Sequence, residues 1–229
     1  MGRIITNDAL RERVHVFTDR VDAAEALAAL MARDFQGKED EAAVLAIPAG
    51  GVPVGLVLAE RLGLPFDLIF VRKLHFPDNP ESGFGAISEH GEVMLNPRLA
   101  HYLDEATIRR VIVEEERALR ERVRLLRGAR AALPLEGRTA IIADDGLASG
   151  FTMLVAAREA RRRGARKVMV AVPTASAQAV DLVGSKVDRL YVANLRSGPY
   201  FAVAEAYTAW RDLSLREVAA LLESWRASS

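Results

Sequence analysis

The 229-residue chain contains no cysteine. This absence excludes disulfides, thiolate zinc sites and cysteine nucleophiles, and it fits a reducing compartment. A charge excess of one sign is also absent, since 31 basic residues balance 31 acidic ones. The balance argues against a nucleic-acid-binding surface and against a disordered acidic tail. Because no apolar signal core precedes the charges of residues 1–17, we expect a cytoplasmic protein that binds neither nucleic acid nor membrane.

Long hydrophobic runs are scarce as well. The longest uncharged run is residues 42–59, which approaches the length of a membrane-spanning helix. Pro48, Pro53 and the Gly50-Gly51 pair interrupt it, so we expect a strand, a tight turn and a buried helix there instead. Half of the residues are apolar and the length is near the upper limit for one core. The sequence therefore predicts a single α/β domain over residues 1–229.

Strands and helices alternate along the chain at the rhythm of a mostly parallel, twisted sheet flanked by helices. The predicted strands are 44–47, 66–71, 140–143, 167–172 and 187–193, with a small hairpin formed by 85–88 and 92–95. The predicted helices are 23–35, 52–62, 104–128, 153–163 and one that begins at Ser214, where Glu217 completes a capping box. An apolar stripe along 104–128 allows a homodimer contact.

The most informative stretch is TAIIADDGLASGFT, residues 139–152. Residues 140–143 have the pattern of a buried parallel strand, which ends on Asp144 and Asp145. Residues 148–152 would open the next helix, whose free N–H groups favour an anion such as a phosphate. The carboxylates could accept hydrogen bonds from sugar hydroxyls or from Mg²⁺-bound water. An ordinary strand-to-helix turn with a helix cap is the alternative.

This stretch resembles the phosphoribosyl pyrophosphate (PRPP) motif of type I phosphoribosyltransferases. The matching residues are Asp144, Asp145, Leu147, Ala148, Ser149, Gly150 and Thr152. Gly146 stands where the family more often has a larger apolar residue. The wider resemblance is to a poorly characterised bacterial and archaeal branch, whose members tend to read Pro-Arg-Gly-Gly-Val-Pro-Val where this chain has Ala49 in place of the arginine.

The resemblance implies an α/β fold with a small appended hood or hairpin, and transfer of ribose 5-phosphate from PRPP to a nitrogenous acceptor with release of pyrophosphate. In that scheme Asp144 and Asp145 hold the ribose hydroxyls and, mainly through water, Mg²⁺. The 5-phosphate would be bound by Ala148, Ser149, Gly150, Phe151 and Thr152. Catalysis would then rest on positioning and charge stabilisation.

The resemblance also implies a pyrophosphate site formed by Ala49, Gly50, Gly51, Arg72 and Lys73, with Lys73 counted among the catalytic residues. Two glycines let backbone N–H groups turn toward a ligand, and two cations after a buried strand would neutralise a diphosphate. A simple connecting turn and a solvated strand end are the respective alternatives.

Three further segments carry expectations. Residues 74–92 contain prolines and glycines typical of a mobile loop, which by resemblance would cover the reacting ribose. The aromatic residues of 197–229 could line a base-binding hood or belong to a tail docked on the core. Purine-salvage enzymes for 6-oxopurines carry an aspartate at the position of Ala148, so a hypoxanthine or guanine acceptor is disfavoured.

A rival interpretation is a non-catalytic regulatory protein that senses PRPP or a nucleotide on the same fold. Ala49 and Gly146 favour this rival. An unrelated Rossmann-like enzyme is a weaker interpretation, because no G-x-G-x-x-G follows a strand.

Overall fold

The computed structural model describes residues 2–33, 35 and 41–228. Its central sheet contains six strands, which are β1 (Arg3–Thr6), β2 (Ala42–Ala46), β3 (Phe66–Leu68), β7 (Thr139–Ala143), β8 (Lys167–Ser176) and β9 (Arg189–Arg196). Their order across the sheet is β1-β9-β8-β7-β2-β3, and every pairing is parallel. A second, antiparallel sheet contains β4 (Val71–Phe76), β5 (Asn79–Ser88) and β6 (Val93–Leu95).

Helices cover both faces of the parallel sheet. The α-helices of the described residues are α1 (Arg20–Ala32), α2 (Gly51–Leu62), α3 (Pro97–Ala100), α4 (Glu105–Leu126), α5 (Phe151–Arg162), α6 (Ala177–Gly184) and α7 (Leu215–Ser228). The apolar side chains of α1 and α2 pack on one face, and those of α5 and α6 pack on the other. Because both faces are covered, every residue of β2 and β7 is buried, which explains their uninterrupted apolar sequences.

The register of the sheet brings two connecting turns together. Ala46 and Ala143, the last residues of β2 and β7, are paired across adjacent parallel strands. The turns that follow these two strands therefore meet at the carboxyl edge of the sheet, where open α/β sheets bind ligands.

The structure differs from the sequence prediction at two places in the segment after α2. The predicted strand 66–71 is split, because β3 pairs with β2 in the parallel sheet whereas Val71 already pairs with Ser88 in the antiparallel sheet. The connecting residues Ile69 and Phe70 are fully buried, so the sequence stays apolar where the chain leaves one sheet and enters the other. The apolar pattern therefore gives no sign of the boundary between the two strands. Residues 74–92, expected to be a mobile loop, consist mostly of strand, and their mobility stays a prediction. The predicted hairpin within this segment is confirmed, since β5 and β6 pair antiparallel.

The C-terminal helix begins as predicted. The Ser214 N–H donates to Glu217 Oε2 at 2.9 Å and the Glu217 N–H donates to Ser214 Oγ at 3.3 Å, which completes the capping box. α7 packs on α4, and together with the antiparallel sheet it buries much of the apolar stripe of α4. A homodimer contact along that stripe remains a prediction. Because these contacts within the chain bury part of the stripe, less apolar surface is exposed than the sequence pattern alone suggests.

Neither β1 nor α6 is anticipated by the sequence reasoning. β1 has only four residues and lies at the sheet edge, where the apolar pattern is weak.

In the described part of the chain, no helix combines the length and the apolar character that crossing a membrane requires. The uncharged run 42–59 forms β2, a turn and α2, as predicted.

Candidate active site

The glycine turn after β2 and the acidic pair after β7 are in direct contact. A Cβ atom added to Gly50 would lie 1.8 Å from Asp145 Oδ2, and one added to Gly51 would lie 2.6 Å from the carbonyl oxygen of Ala143. Real Cβ atoms do not approach other atoms so closely. Glycine is therefore needed at both positions, because the turn after β2 and the acidic pair after β7 share one small space.

Asp145 is held by a residue that the sequence reasoning missed. Arg20, the first residue of α1, donates from Nε to Asp145 Oδ2 at 2.8 Å and from Nη1 to the Arg211 carbonyl at 2.9 Å. Its guanidinium lies 4.0 Å from the ring centroid of Trp210. Only 10% of the Arg20 side chain and 15% of the Asp145 side chain are exposed. Nothing in the local sequence distinguishes this arginine, since its partners come from distant parts of the chain.

The two aspartates have different electrostatic environments. Asp144 lines a cavity, and its Oδ1 accepts the Asp145 N–H at 2.9 Å. Burial and the neighbouring Asp145 charge raise the pKa of Asp144 well above the usual aspartate range. Burial also raises the pKa of Asp145, but the Arg20 guanidinium opposes this shift. The negative charge of Asp144 is therefore the one that an entering cation or hydroxyl donor would stabilise most, since Asp145 already has Arg20 as its partner.

The cavity has a volume of about 380 Å³ and unites most of the predicted ligand-binding residues. Its lining includes Lys73, Asp144 and the turn 146–153. The N–H groups of residues 148–152 donate no hydrogen bond to a protein acceptor in the part of the chain that is described. Gly150 precedes α5 with φ 84°, a conformation that favours glycine. Unpaired donors at a helix N-terminus form an anion site of the kind a phosphate occupies.

Contacts from β8 hold this turn in place. The Leu147 N–H donates to the Thr174 carbonyl at 2.9 Å, and Ser176 Oγ donates to the Ala148 carbonyl at 2.8 Å. The N–H groups of the turn thus keep their positions without a ligand, which reduces the entropic cost of ordering them when a phosphate binds.

Arg72 and Lys73 do not act as a pair. Lys73 lines the cavity, with its stem passing over Gly83, where a Cβ would lie 2.3 Å from Lys73 Cγ. Arg72 instead forms an ion pair with Glu115 of α4, which also contacts His75 Nδ1 at 2.9 Å. Burial opposes ionisation of Glu115, yet its two partners lower its pKa. Neighbouring side chains of a strand point to opposite faces, and this separates the predicted cations.

The predicted pyrophosphate turn presents only some of its amides. The Gly51 N–H donates to the Ile47 carbonyl at 3.0 Å and the Val52 N–H donates to the Ala49 carbonyl at 3.1 Å, so both are used within the turn. The N–H groups of Ala49 and Gly50 donate to no acceptor among the described residues. These two amides are the donors of the turn that an anion could engage.

The unusual Gly146 is explained by the C-terminal segment. A Cβ added at this position would lie 2.4 Å from Cγ1 and 2.6 Å from Cγ2 of Val203. Val203 also lines the cavity. The apolar volume expected from the motif at position 146 is therefore supplied from position 203, in a distant part of the sequence.

We expect Gly146→Ala to destabilise the fold by about 1–3 kcal/mol, because the short, stiff Val203 side chain cannot move aside cheaply. Adding Val203→Ala should recover part of this loss, since the two nearest methyl groups disappear. Denaturant unfolding of the two single variants and the double variant measures the coupling. Strictly additive effects would contradict the proposed contact.

The aromatic residues near the C-terminus divide into two groups. Tyr207 is buried between Phe17 and Trp210, with ring centroids 5.9 and 5.1 Å away, whereas Tyr200 is 86% exposed. The Tyr207 hydroxyl donates to the Asp145 carbonyl at 2.6 Å, and burial raises its pKa. This part of the tail therefore docks on the core and supports the acidic pair from behind.

We expect Tyr207→Phe to cost about 1–2 kcal/mol of unfolding free energy, because the buried Asp145 carbonyl loses a donor. Thermal unfolding of the variant measures this loss. Tyr200→Phe is the matched control, and its exposed ring should leave the melting temperature unchanged. Equal effects of the two changes would refute the supporting role of Tyr207.

The acidic pair fits a magnesium ion chemically. Mg²⁺ prefers hard oxygen ligands and commonly keeps several waters while it is held by one or two carboxylates. The residues that would hold it are Asp144 at the cavity and Asp145 behind it, mainly through water, and this assignment stays a prediction. Among the described residues, Glu89, His90 and Glu159 form a group with possible ligand atoms within 4.8 Å of one another. Arg162 and Ser88 already bind Glu159, so this group is better described as an ion-pair network.

The chain is similar to known proteins both in sequence and in structure. Residues 14–192 match the family model described as "Phosphoribosyl transferase domain". The chain is 38% identical over 210 residues to a Mycobacterium tuberculosis protein named "Putative phosphoribosyl transferase", found in two strains. That alignment covers 91% of this chain and 46% of the relative, so the chain spans about half the length of the curated relatives it matches.

One solved structure is similar over nearly its whole length. The crystal structure of TT1426 from Thermus thermophilus superimposes with a TM-score of 0.73 at 32% sequence identity. The match covers 91% of this chain and 98% of that protein. The similarity confirms the predicted fold class, a parallel sheet flanked by helices with a small appended sheet.

Proposed function

Because the chain belongs to the phosphoribosyl transferase domain family, we propose that it transfers ribose 5-phosphate from PRPP to a nitrogenous, nucleobase-like acceptor and releases pyrophosphate. The observation that carries the proposal is a single cavity lined by Asp144, Lys73 and the turn 146–153. A carboxylate, a cation and a helix N-terminus are the three groups that a metal-bound sugar diphosphate with a 5-phosphate requires.

In this proposal the N–H groups of residues 148–152 bind the 5-phosphate, and Asp144 accepts hydrogen bonds from the ribose hydroxyls. The Ala49 and Gly50 amides and Lys73 bind the leaving diphosphate, whose developing charge they stabilise. Mg²⁺, when bound, supplies further neutralisation of the diphosphate. Asp145 keeps its ion pair with Arg20, so it fixes the geometry and contributes negative charge. The protein acts by positioning and electrostatics, without a covalent intermediate.

The acceptor would sit beside Val203, which supplies an apolar wall to the cavity. Ala148 offers no side-chain acid or base for a 6-oxopurine proton, so we propose an acceptor other than hypoxanthine or guanine. The product would be a ribonucleotide-like molecule, formed in the cytoplasm without a nucleic-acid or membrane partner.

The test is release of pyrophosphate when the purified chain is incubated with PRPP, Mg²⁺ and a panel of purine, pyrimidine and simple amine acceptors. We expect turnover with at least one acceptor and none without Mg²⁺. Pyrophosphate release that is unaffected by Asp144→Asn would refute the assigned site.

The alternative is a regulatory protein that binds PRPP or a nucleotide without catalysis. It is favoured by one observation, the absence of a charged side chain from the turn 48–51. Binding of Mg²⁺–PRPP without pyrophosphate release for any acceptor would establish this alternative.

The β4–β5 hairpin adjoins the cavity through β5, since Ser82 and Gly83 line it. We expect this hairpin to close over bound PRPP and exclude water from the reacting carbon. Amide hydrogen exchange of residues 77–83 should slow when Mg²⁺–PRPP is added, while exchange in α7 stays constant. Exchange that is indifferent to the ligand would contradict closure.

A further inference from the structure

The turn 48–51, to which the proposed function assigns the diphosphate, contains no charged residue, but an arginine of α4 contacts it. Residues 48–51 are Pro-Ala-Gly-Gly. Arg122, in the second half of α4, donates from Nη1 to the Pro48 carbonyl at 3.1 Å. A guanidinium therefore lies within hydrogen-bonding distance of the residue that directly precedes the open Ala49 and Gly50 amides.

Arg122 is incompletely satisfied at this position. Its Nε is buried and has no hydrogen-bond partner among the described residues. A buried donor without a partner is costly, so its position calls for an explanation, and a bound ligand is one. The guanidinium has five N–H donors, whereas the described residues give this one a single acceptor, the Pro48 carbonyl.

The charged groups around Arg122 also carry a net positive charge, because two arginines, Arg72 and Arg122, lie near one carboxylate, Glu115. Glu115 is the carboxylate that interacts with Arg122, but Arg72 and His75 already occupy its two oxygens. Burial and the charge of Arg72 lower the pKa of Arg122, and Glu115 only partly opposes this shift. Two arginines thus share one carboxylate beside the turn, and within the described ranges the excess positive charge has no further acidic partner.

We propose that Arg122 binds the diphosphate group of the substrate and of the pyrophosphate product, at the turn 48–51. The proposal rests on the proposed function and adds a residue to it that comes from a helix outside the sequence motifs. The Pro48 carbonyl orients the guanidinium, and a diphosphate oxygen supplies the missing acceptor. Arginine suits this role because its donors match phosphate oxygens and its charge persists at physiological pH.

The test compares ligands that contain a diphosphate with one that does not. The affinities of wild type, Arg122→Met and Arg122→Lys are measured by calorimetry for PRPP and for inorganic pyrophosphate, both with Mg²⁺, and for ribose 5-phosphate. We expect Arg122→Met to weaken binding of PRPP and pyrophosphate at least about tenfold, and binding of ribose 5-phosphate less than about twofold. Arg122→Lys should recover part of the loss, since it retains the charge without the planar donor set.

The matched control is Arg120→Met, on the same helix, where the arginine is exposed and paired with Glu116. It should leave all three affinities unchanged. If wild type binds PRPP but Arg122→Met and Arg122→Lys bind pyrophosphate as tightly as wild type, this inference is wrong and the proposed function stands. Equal weakening of all three ligands would show a structural role only and would also overturn the inference. If wild type binds none of the ligands, both the proposed function and this inference are wrong.

Discussion

Replacing Asp144 by asparagine is expected to abolish binding of Mg²⁺–PRPP and, at the same time, to stabilise the folded chain at neutral pH. Burial and the adjacent Asp145 charge raise the pKa of Asp144, so the folded state binds its proton more tightly than the unfolded state does. Stability therefore falls as the pH rises above the ordinary aspartate pKa, and the full penalty applies above the raised pKa. Asparagine removes this penalty, and we expect a gain of about 1 kcal/mol or more.

Asp145→Asn is the matched variant, for which we expect a smaller gain in stability than for Asp144→Asn. Burial raises the pKa of Asp145 as well, but the Arg20 guanidinium opposes this shift, so the folded state penalises the Asp145 charge less. The Arg20 side chain, only 10% exposed, also loses its partner when the carboxylate is removed. Thermal and denaturant unfolding at several pH values measure both variants. The advantage of Asp144→Asn over wild type should shrink as the pH is lowered toward the ordinary aspartate pKa, and a destabilised Asp144→Asn variant would contradict the assignment of the two aspartates.

Gly50→Ala should disrupt both the glycine turn 48–51 and the acidic pair Asp144-Asp145, because the added methyl group would lie between them. Gly50 has φ −61° and ψ −32°, which alanine adopts without strain, so backbone conformation does not require glycine there. The added Cβ would lie 1.8 Å from Asp145 Oδ2 and would force that carboxylate away from Arg20. We expect a loss of about 3 kcal/mol in unfolding free energy and at least about a tenfold loss in PRPP affinity.

Gly198→Ala is the control for this prediction. The nearest atom to a Cβ at Gly198 is the Tyr200 carbonyl oxygen at 3.7 Å, an ordinary contact. This variant should unfold and bind like wild type. If Gly50→Ala kept wild-type affinity for PRPP, the contact between the glycine turn and the acidic pair would not matter for the site.

Those parts of the site that lie within one strand-turn-helix unit could be predicted from the sequence. Asp144 and the turn 148–152 follow a strand whose apolar pattern is unambiguous, and the structure brings them to one cavity with Lys73. The capping box of α7 was equally predictable, because its two partners are three residues apart. Local chemistry of this kind leaves a local signal.

The rest of the site depends on contacts between distant parts of the chain. Arg20 meets Asp145 across 125 positions, and Arg122 meets Pro48 across 74. Val203 fills the space above Gly146, so a departure from the motif is compensated elsewhere. The opposite directions of Arg72 and Lys73 follow from their place in an antiparallel strand, which the continuous apolar run before them concealed. No periodicity in a single sequence encodes such long-range pairings.

The proposed function depends above all on the cavity beside Asp144 being a PRPP site. The most direct test is a calorimetric titration of the purified chain with PRPP, with and without Mg²⁺, for wild type and for Asp144→Asn. We expect binding to wild type that requires Mg²⁺ and is lost in the folded variant. No binding to wild type, or equal binding by the variant, would contradict the assignment of this cavity.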